Sequence, residues 1–335
     1  MKYMPSFLLF LPACSILHGS SATQADMDAP QPIVQSPQAD ERSQSREIDG
    51  ETVEIRLRCP TGSEDACDEA ANMALNEVQR LIDVSSVWST TGDVARINES
   101  AGQEAVEISA DVQRMLTSAF IVSTASGGAF DVTIGALSGL WGIDGASLPS
   151  DQIISERLHL VDWTMVELGQ SSARLKQEGM SIVLDGLVKG DAADSALNLI
   201  PMDWDALVDV GGDLAARGEW EVQIPIDAVH GGGSVTFWVQ DTVLVASGTR
   251  GTGELDGAID PRSGKPSPGG RWAVATHKQG AIADALATTL LVTGAETAVI
   301  DQLGAWALLM TADGWVEVGG RTASVSSWSV ASTGE

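Results

Sequence analysis

The sequence predicts an α+β fold, a single domain of mixed sheets packed with helices. Three observations predict it. Residues 52–58 alternate Val53, Ile55 and Leu57 as a half-buried strand does, while the next apolar run, Ala71, Ala74, Leu75, Val78, Leu81 and Ile82, has helical spacing. Strand-like stretches then crowd residues 206–246. Helices and strands follow one another without regular alternation or internal repeat, which argues against a doubly wound sheet.

Residues 1–22 read as an export signal, with Lys2, an apolar run from Phe7 to Leu11 and then small residues, too short to span a bilayer. Leu11-Pro12-Ala13-Cys14 resembles a bacterial lipobox and would make Cys14 a lipid-anchored first residue; cleavage after Ala22 is the other reading. Residues 23–47, rich in Pro, Gln, Asp and Ser without apolar period, are expected to form a flexible tether. The folded domain is expected to span 48–323, followed by a disordered Ser/Thr-rich tail, 324–335. Cys59 and Cys67 are either a disulfide closing one small loop, as an oxidising compartment favours, or free thiols.

Within the domain, the stretch from Ser85 to Asn98 is polar and reads as a loop. A second amphipathic helix follows Ser109, with Val112, Met115, Leu116, Ala119 and Phe120 inward. Ser181–Leu184 reads as a short buried strand leading to a helix that starts near Asp191. Strands are expected at 206–210, 220–226, 235–239 and 243–246, a helix from Ala281 to a stop at Gly294, and closing strands at 305–310 and 315–318.

Charge narrows the chemistry. With 46 acidic against 19 basic residues, the formal charge of −27 argues against a nucleic-acid backbone or an anionic membrane as a broad-surface partner. An anionic ligand then needs a local cation, metal ion or helix N-terminus. Asp284 and Thr288, one turn apart among alanines, are hard oxygen ligands suited to Mg²⁺ or Ca²⁺, or else a polar helix face with local hydrogen bonds. Ser126 to Leu137, with Leu140-Trp141-Gly142, offers glycines for close backbone approach, Phe130 and Trp141 for a flat ring, and oxygens from Asp131 and Thr133; a turn-rich connection is the alternative. Lys189, flanked by Gly186 and Gly190 where a strand meets a helix, suits an anion, although such lone patterns are common. Arg262 and Lys265 share a proline-bounded turn that either meets phosphate or is simply solvated.

Taken in order, Ser86 to Asn98, Gly128-Ala129-Phe130-Asp131-Val132-Thr133, Leu140-Trp141-Gly142, Val188-Lys189-Gly190 with Asp194, Gly211-Gly212-Asp213, Ser247-Gly248, Ile259 to Gly264 and Ala283 to Thr288 resemble the FAD:protein FMN transferases, the ApbE-type flavin transferases. The resemblance covers about residues 48–320 and implies an ApbE-like, T-fold-related domain. It implies Mg²⁺-dependent transfer of the FMN half of FAD to a Ser or Thr hydroxyl of a membrane redox protein, with AMP released. Asp284 and Thr288 would be metal ligands together with the Gly186 backbone carbonyl. Asn98, Ala129, Phe130, Asp131, Lys189, Gly257, Ala258 and Asp260 would contact or flank FAD. Members are typically exported and often lipoproteins, so a periplasmic, membrane-anchored protein is expected. The chain departs from the pattern where Gly257 replaces the usual His before the Asp-Pro turn, where Asp49-Gly50-Glu51 replaces Met-Gly-Thr, and at Asp185, which occupies a shifted position. Glycine cannot move a proton, so His277 is the sequence-local substitute base, unless it is a surface histidine. Loss of transfer with retained FAD binding, and FAD pyrophosphatase activity, are the alternative functions.

Overall fold

The computed structural model describes residues 33–34, 41–137, 140, 149–226, 232–249, 257–295, 298–320 and 324–331. The stretch read as an export signal, with Cys14, and the Trp141-Gly142 pair lie outside the described residues. In chain order the elements are β1 (Ile33–Val34), β2 (Glu41–Ile48), β3 (Glu51–Arg58), α1 (Glu64–Ser85), α2 (Asp93–Glu99), β4 (Val106–Glu107), α3 (Ala110–Ala125), α4 (Asp151–Leu158), β5 (Val166–Leu168), β6 (Ser172–Leu175) and α5 (Val188–Leu197). They continue with β7 (Asp205–Val210), β8 (Asp213–Pro225), β9 (Ser234–Gly248), β10 (Ile259–Asp260), β11 (Lys265–Pro266), β12 (Trp272–His277), α6 (Gly280–Thr293), α7 (Ala298–Leu303), β13 (Trp306–Thr311), β14 (Gly314–Val318) and β15 (Val325–Ala331).

The α+β expectation holds. One ten-stranded antiparallel sheet runs β14-β13-β12-β9-β8-β7-β3-β2, with β1 added to β8 and β15 to β9. Period-two alternation splits its side chains between two cores. Val243, Val245, Ala273, Ala275, Ala307 and Leu309 join the core shared with α1, α5 and α6. Leu244, Val274, Trp272, Trp306 and Leu308 point into a second core with Trp220, Val222, Val235 and Phe237. The register of β8 against β9 shifts between Ala216 and Glu219, where Gly218 takes φ +81° and its N–H bonds the Asp241 carboxylate. Such a bulge bends a pair of long strands and lets their outer halves help enclose the second core.

Several local expectations are corrected. The tether does not reach residue 47: β2 begins at Glu41, whose buried carboxylate pairs with Arg56 and Arg58 of β3, and β1 already pairs with β8. A buried ion pair leaves no trace in an apolar period. The loop read from Ser85 to Asn98 contains α2, anchored by buried Val94 and Ile97 and by the Asp93 carboxylate, which accepts from the Ser109 N–H. Residues 181–184 form no regular strand: Ser181 makes an isolated bridge with Ile134, and the Val183 N–H donates to the Val132 carbonyl. Helix α5 starts at Val188, a turn before Asp191. The stretches at 235–239 and 243–246 are one strand, β9, and 220–226 belongs to the longer β8. The tail is also ordered in part: β15 pairs with β9 from Val325 to Ala331, and Trp328 packs against Trp315. Among the described residues, the Ser109 cap of α3, the stop of α6 at Gly294 and the Cys59–Cys67 disulfide are as expected.

Candidate functional site

Glycines bring two helices together. A Cβ on Gly280 would lie 1.8 Å from the Gly190 carbonyl oxygen, and one on Gly190 would lie 2.4 Å from the Gly280 carbonyl oxygen, so α5 and α6 touch backbone to backbone. The Gly280 N–H, at the start of α6, donates to Asp194 of α5 at 3.3 Å. In return, the Gly190 N–H in the first turn of α5 donates to Asp284 at 3.3 Å. First-turn N–H groups lack a partner within their own helix, so each helix start is satisfied by a carboxylate of the other.

A third element aims into this crossing. Gly211 and Gly212 take φ +59° and +101°, forming the tight turn between β7 and β8, and Asp209 secures it by accepting from the Gly212 N–H at 2.8 Å. Asp213 follows immediately, 1% exposed, with Oδ2 buried and lacking a hydrogen-bond donor. Burial pushes the Asp213 pKa well up, and the neighbouring Asp284 charge pushes it further. Burial also lifts Asp284 to about 6, with Lys189 pulling the other way. Burial thus raises both carboxyls, and the two titrate together as one pair. Burial lifts Asp209 to about 7. Lys189 stays charged: burial opposes its charge, and Asp213, Glu51 and Asp284 overcome that opposition.

One turn along α6, Thr288 meets the segment before α5. A Cβ on Gly186 would lie 3.5 Å from Thr288 Oγ1 and 3.3 Å from the Phe130 ring, so the bare backbone of Gly186 is wedged between hydroxyl and ring. The structure thus groups Gly186, Phe130 and Thr288 at one point, and Lys189, Asp284 and Asp213 next to it. No cluster of three or more His, Cys, Asp or Glu side chains with metal-binding geometry occurs among the described residues. The donor set nonetheless fits Mg²⁺, an all-oxygen ion that takes few protein ligands and fills the rest with water and phosphate. Two carboxyls, Asp213 and Asp284, buried side by side mark a place deficient in positive charge.

The other expected contacts are placed differently. Asn98 spends its amide on the Ile182 backbone, donating to its carbonyl at 2.9 Å and accepting from its N–H at 2.7 Å, which fixes the extended segment leading to Gly186. Asp131 accepts from Thr133 and from the Trp163 N–H, so it organises its own loop. Ala129 is buried. Asp260 accepts from the Arg262 N–H and guanidinium, and the Ala258 carbonyl takes the Ser267 N–H, both within the small β10–β11 hairpin. Gly257 lies against that hairpin so closely that a Cβ would be 2.1 Å from the Ser267 carbonyl oxygen. Ser267 in turn donates to the Val292 carbonyl, latching the hairpin to the last turn of α6. His277 accepts the Gln279 N–H at 3.0 Å in the turn before α6, and burial lowers its pKa. A cleft of about 200 Å³ opens between Gly127, Gly128, Trp163, Pro261 and Arg262.

Sequence reading passed over Asp213, Asp209 and Glu51 as site residues. The signal for the first was its place directly after a Gly-Gly turn, where a strand begins.

The ApbE family profile matches residues 50–308. The chain is 33% identical over 215 residues to an FAD:protein FMN transferase of Klebsiella pneumoniae, covering 59% of this chain and 67% of that protein. It is 31% identical over 263 residues to one of Treponema pallidum, covering 67% and 72%. In fold it is similar to the flavin transferase ApbE from Vibrio cholerae, at TM-score 0.72 and 22% identity over 83% of this chain and 96% of that one. The apo flavinyl transferase ApbE of Pseudomonas stutzeri aligns at TM-score 0.73 and 22% identity, over 87% and 96%.

Proposed function

This chain belongs to the ApbE family, and from that premise we propose that it is an FAD:protein FMN transferase, passing the FMN moiety of FAD to a Ser or Thr hydroxyl of a partner redox protein and releasing AMP. The observation that carries the reading is the crossing of α5 and α6, which places Lys189, Asp284, Thr288 and the Gly186 backbone around one acid-lined point. In the transfer, the acceptor oxygen bonds to the FMN phosphorus, the bridging P–O bond breaks, AMP leaves with the bridging oxygen, and the hydroxyl proton passes to a base.

Asp284, Thr288 and the Gly186 carbonyl would hold Mg²⁺. Bound there, the ion would neutralise charge on the diphosphate and on the leaving AMP. Lys189 orients the diphosphate and opposes its charge. Phe130, packed on Gly186, gives the flavin end an apolar surface. Gly257 offers no group to accept the proton, and His277, kept neutral by its lowered pKa, is the histidine to test in that role. We also propose export and lipid anchoring at Cys14; lipid labelling that survives Cys14→Ser would refute the anchor.

One observation favours a second reading. The 2.1 Å approach of a Gly257 Cβ to Ser267 closes the position where the family pattern puts its histidine. Water would then replace the acceptor, giving an FAD pyrophosphatase, or the protein would bind FAD without turnover. Incubation with FAD, Mg²⁺ and acceptor proteins separates these outcomes. A covalent FMN mass gain on the acceptor supports transfer, AMP without labelling supports hydrolysis, and FAD retention with neither supports binding alone.

A further inference from the structure

We propose that Glu51 is a built-in competitor for the FAD diphosphate, pairing with Lys189 in the free protein so that FAD must displace it. The inference rests on the function proposed above. Glu51 opens β3 directly after Asp49 and Gly50, whose φ angles of 53° and 82° turn the chain back from β2. Its carboxylate lies over Gly211, where a Cβ would stand 2.7 Å from Oε2, so the bare turn makes room for it. From there Oε1 reaches the Lys189 ammonium at 3.6 Å.

The pair is built to exchange. Its side chains are 31% and 32% exposed, whereas Asp213 and Asp284, two further carboxylates that favour the Lys189 charge, are buried. Buried carboxylates cannot swing away, so of these three Glu51, which holds the ammonium in a direct ion pair, is the one a diphosphate can replace. The family pattern has an uncharged threonine at this point, which makes the competition a property of this chain and links it to the net charge of −27. Salt weakens such a half-exposed pair, so affinity is set partly by ionic strength.

The test is FAD binding, followed by flavin fluorescence with Mg²⁺ present, for wild type, Glu51→Gln, Glu51→Thr, Lys189→Ala and the Glu51→Gln/Lys189→Ala double variant. Removing the Glu51 charge should tighten FAD binding about two- to fivefold at low ionic strength, and the gain should shrink in molar salt. In the Lys189→Ala background the gain should vanish, a coupling that a merely structural role for Glu51 would not produce. Equal or weaker binding by both Glu51 variants, or a gain that persists without Lys189, overturns the inference. Wild type that binds no FAD sinks the functional reading and this inference together, whereas binding without the gain sinks this inference alone.

Discussion

The two ends of α6 differ in what the fold leaves open. At its start, Asp284, Asp213 and Lys189 are packed at close quarters, with one carboxylate oxygen donorless and two carboxyl groups competing for one proton. At its end, the Val292 carbonyl takes Ser267, Asp260 holds Arg262, and Gly257 lies flat on the hairpin, so the polar groups are closed on one another. Unspent electrostatics at the first end are what a cation and a diphosphate would draw on. The second end is finished structure, and chemistry there would have to break it.

The largest test of this contrast is Asp284→Ala. Metal-dependent FAD turnover, read as AMP release, should fall by about 10²–10³-fold, the scale of losing a principal electrostatic group. Turnover within a few-fold of wild type would mean that the open end is not the working end. Next comes pH. Burial lifts Asp209 to about 7 from its ordinary carboxylate value in the unfolded chain. A raised carboxylate pKa supports the fold fully below about pH 4, and that support is lost as pH rises through 7. Metal-free protein should therefore lose up to a few kcal/mol between pH 5 and 8 in denaturant titrations, and Mg²⁺ should restore part of it at pH 8. Stability that rises over this interval would contradict the placement of Asp209.

At the closed end, Gly257→His should cost about 1–3 kcal/mol of stability, because the side chain must push the Ser267 backbone aside. It should bring no gain in acceptor labelling, and a large gain would show that the hairpin yields and that the missing histidine limits activity. The smallest effect is expected from Lys189→Ala, which should raise the KM for FAD by about tenfold, roughly 1.4 kcal/mol. An unchanged KM would remove the lysine from the diphosphate.

Much of this architecture was legible in the sequence because it rests on period. The spacing of Val112, Met115 and Leu116 behind Ser109 gave α3, and Asp284 and Thr288 at four-residue separation fall on one face of α6. What period does not record was missed. Glu41 is buried by two arginines rather than by apolarity, α2 is too short for its Val94 and Ile97 to show a stripe, and β15 is a serine-rich strand made by its neighbour β9. Asp213 was overlooked as a site residue because its significance comes from Asp284 and Lys189, which reach it from other elements.

The order of strands has a consequence for synthesis. Strand β3 cannot gain its inner neighbour until β7 is made, and α5 has no α6 to cross until nearly the whole domain has been translated. Glu51 and Asp284 stand near opposite ends of that domain and belong to one site. A growing chain therefore offers FAD nothing to hold, and β9 keeps an unpaired edge until β15 arrives last. Binding competence comes all at once, late, and a ribosome stalled before Thr288 would display an incomplete sheet with no ligand to stabilise it.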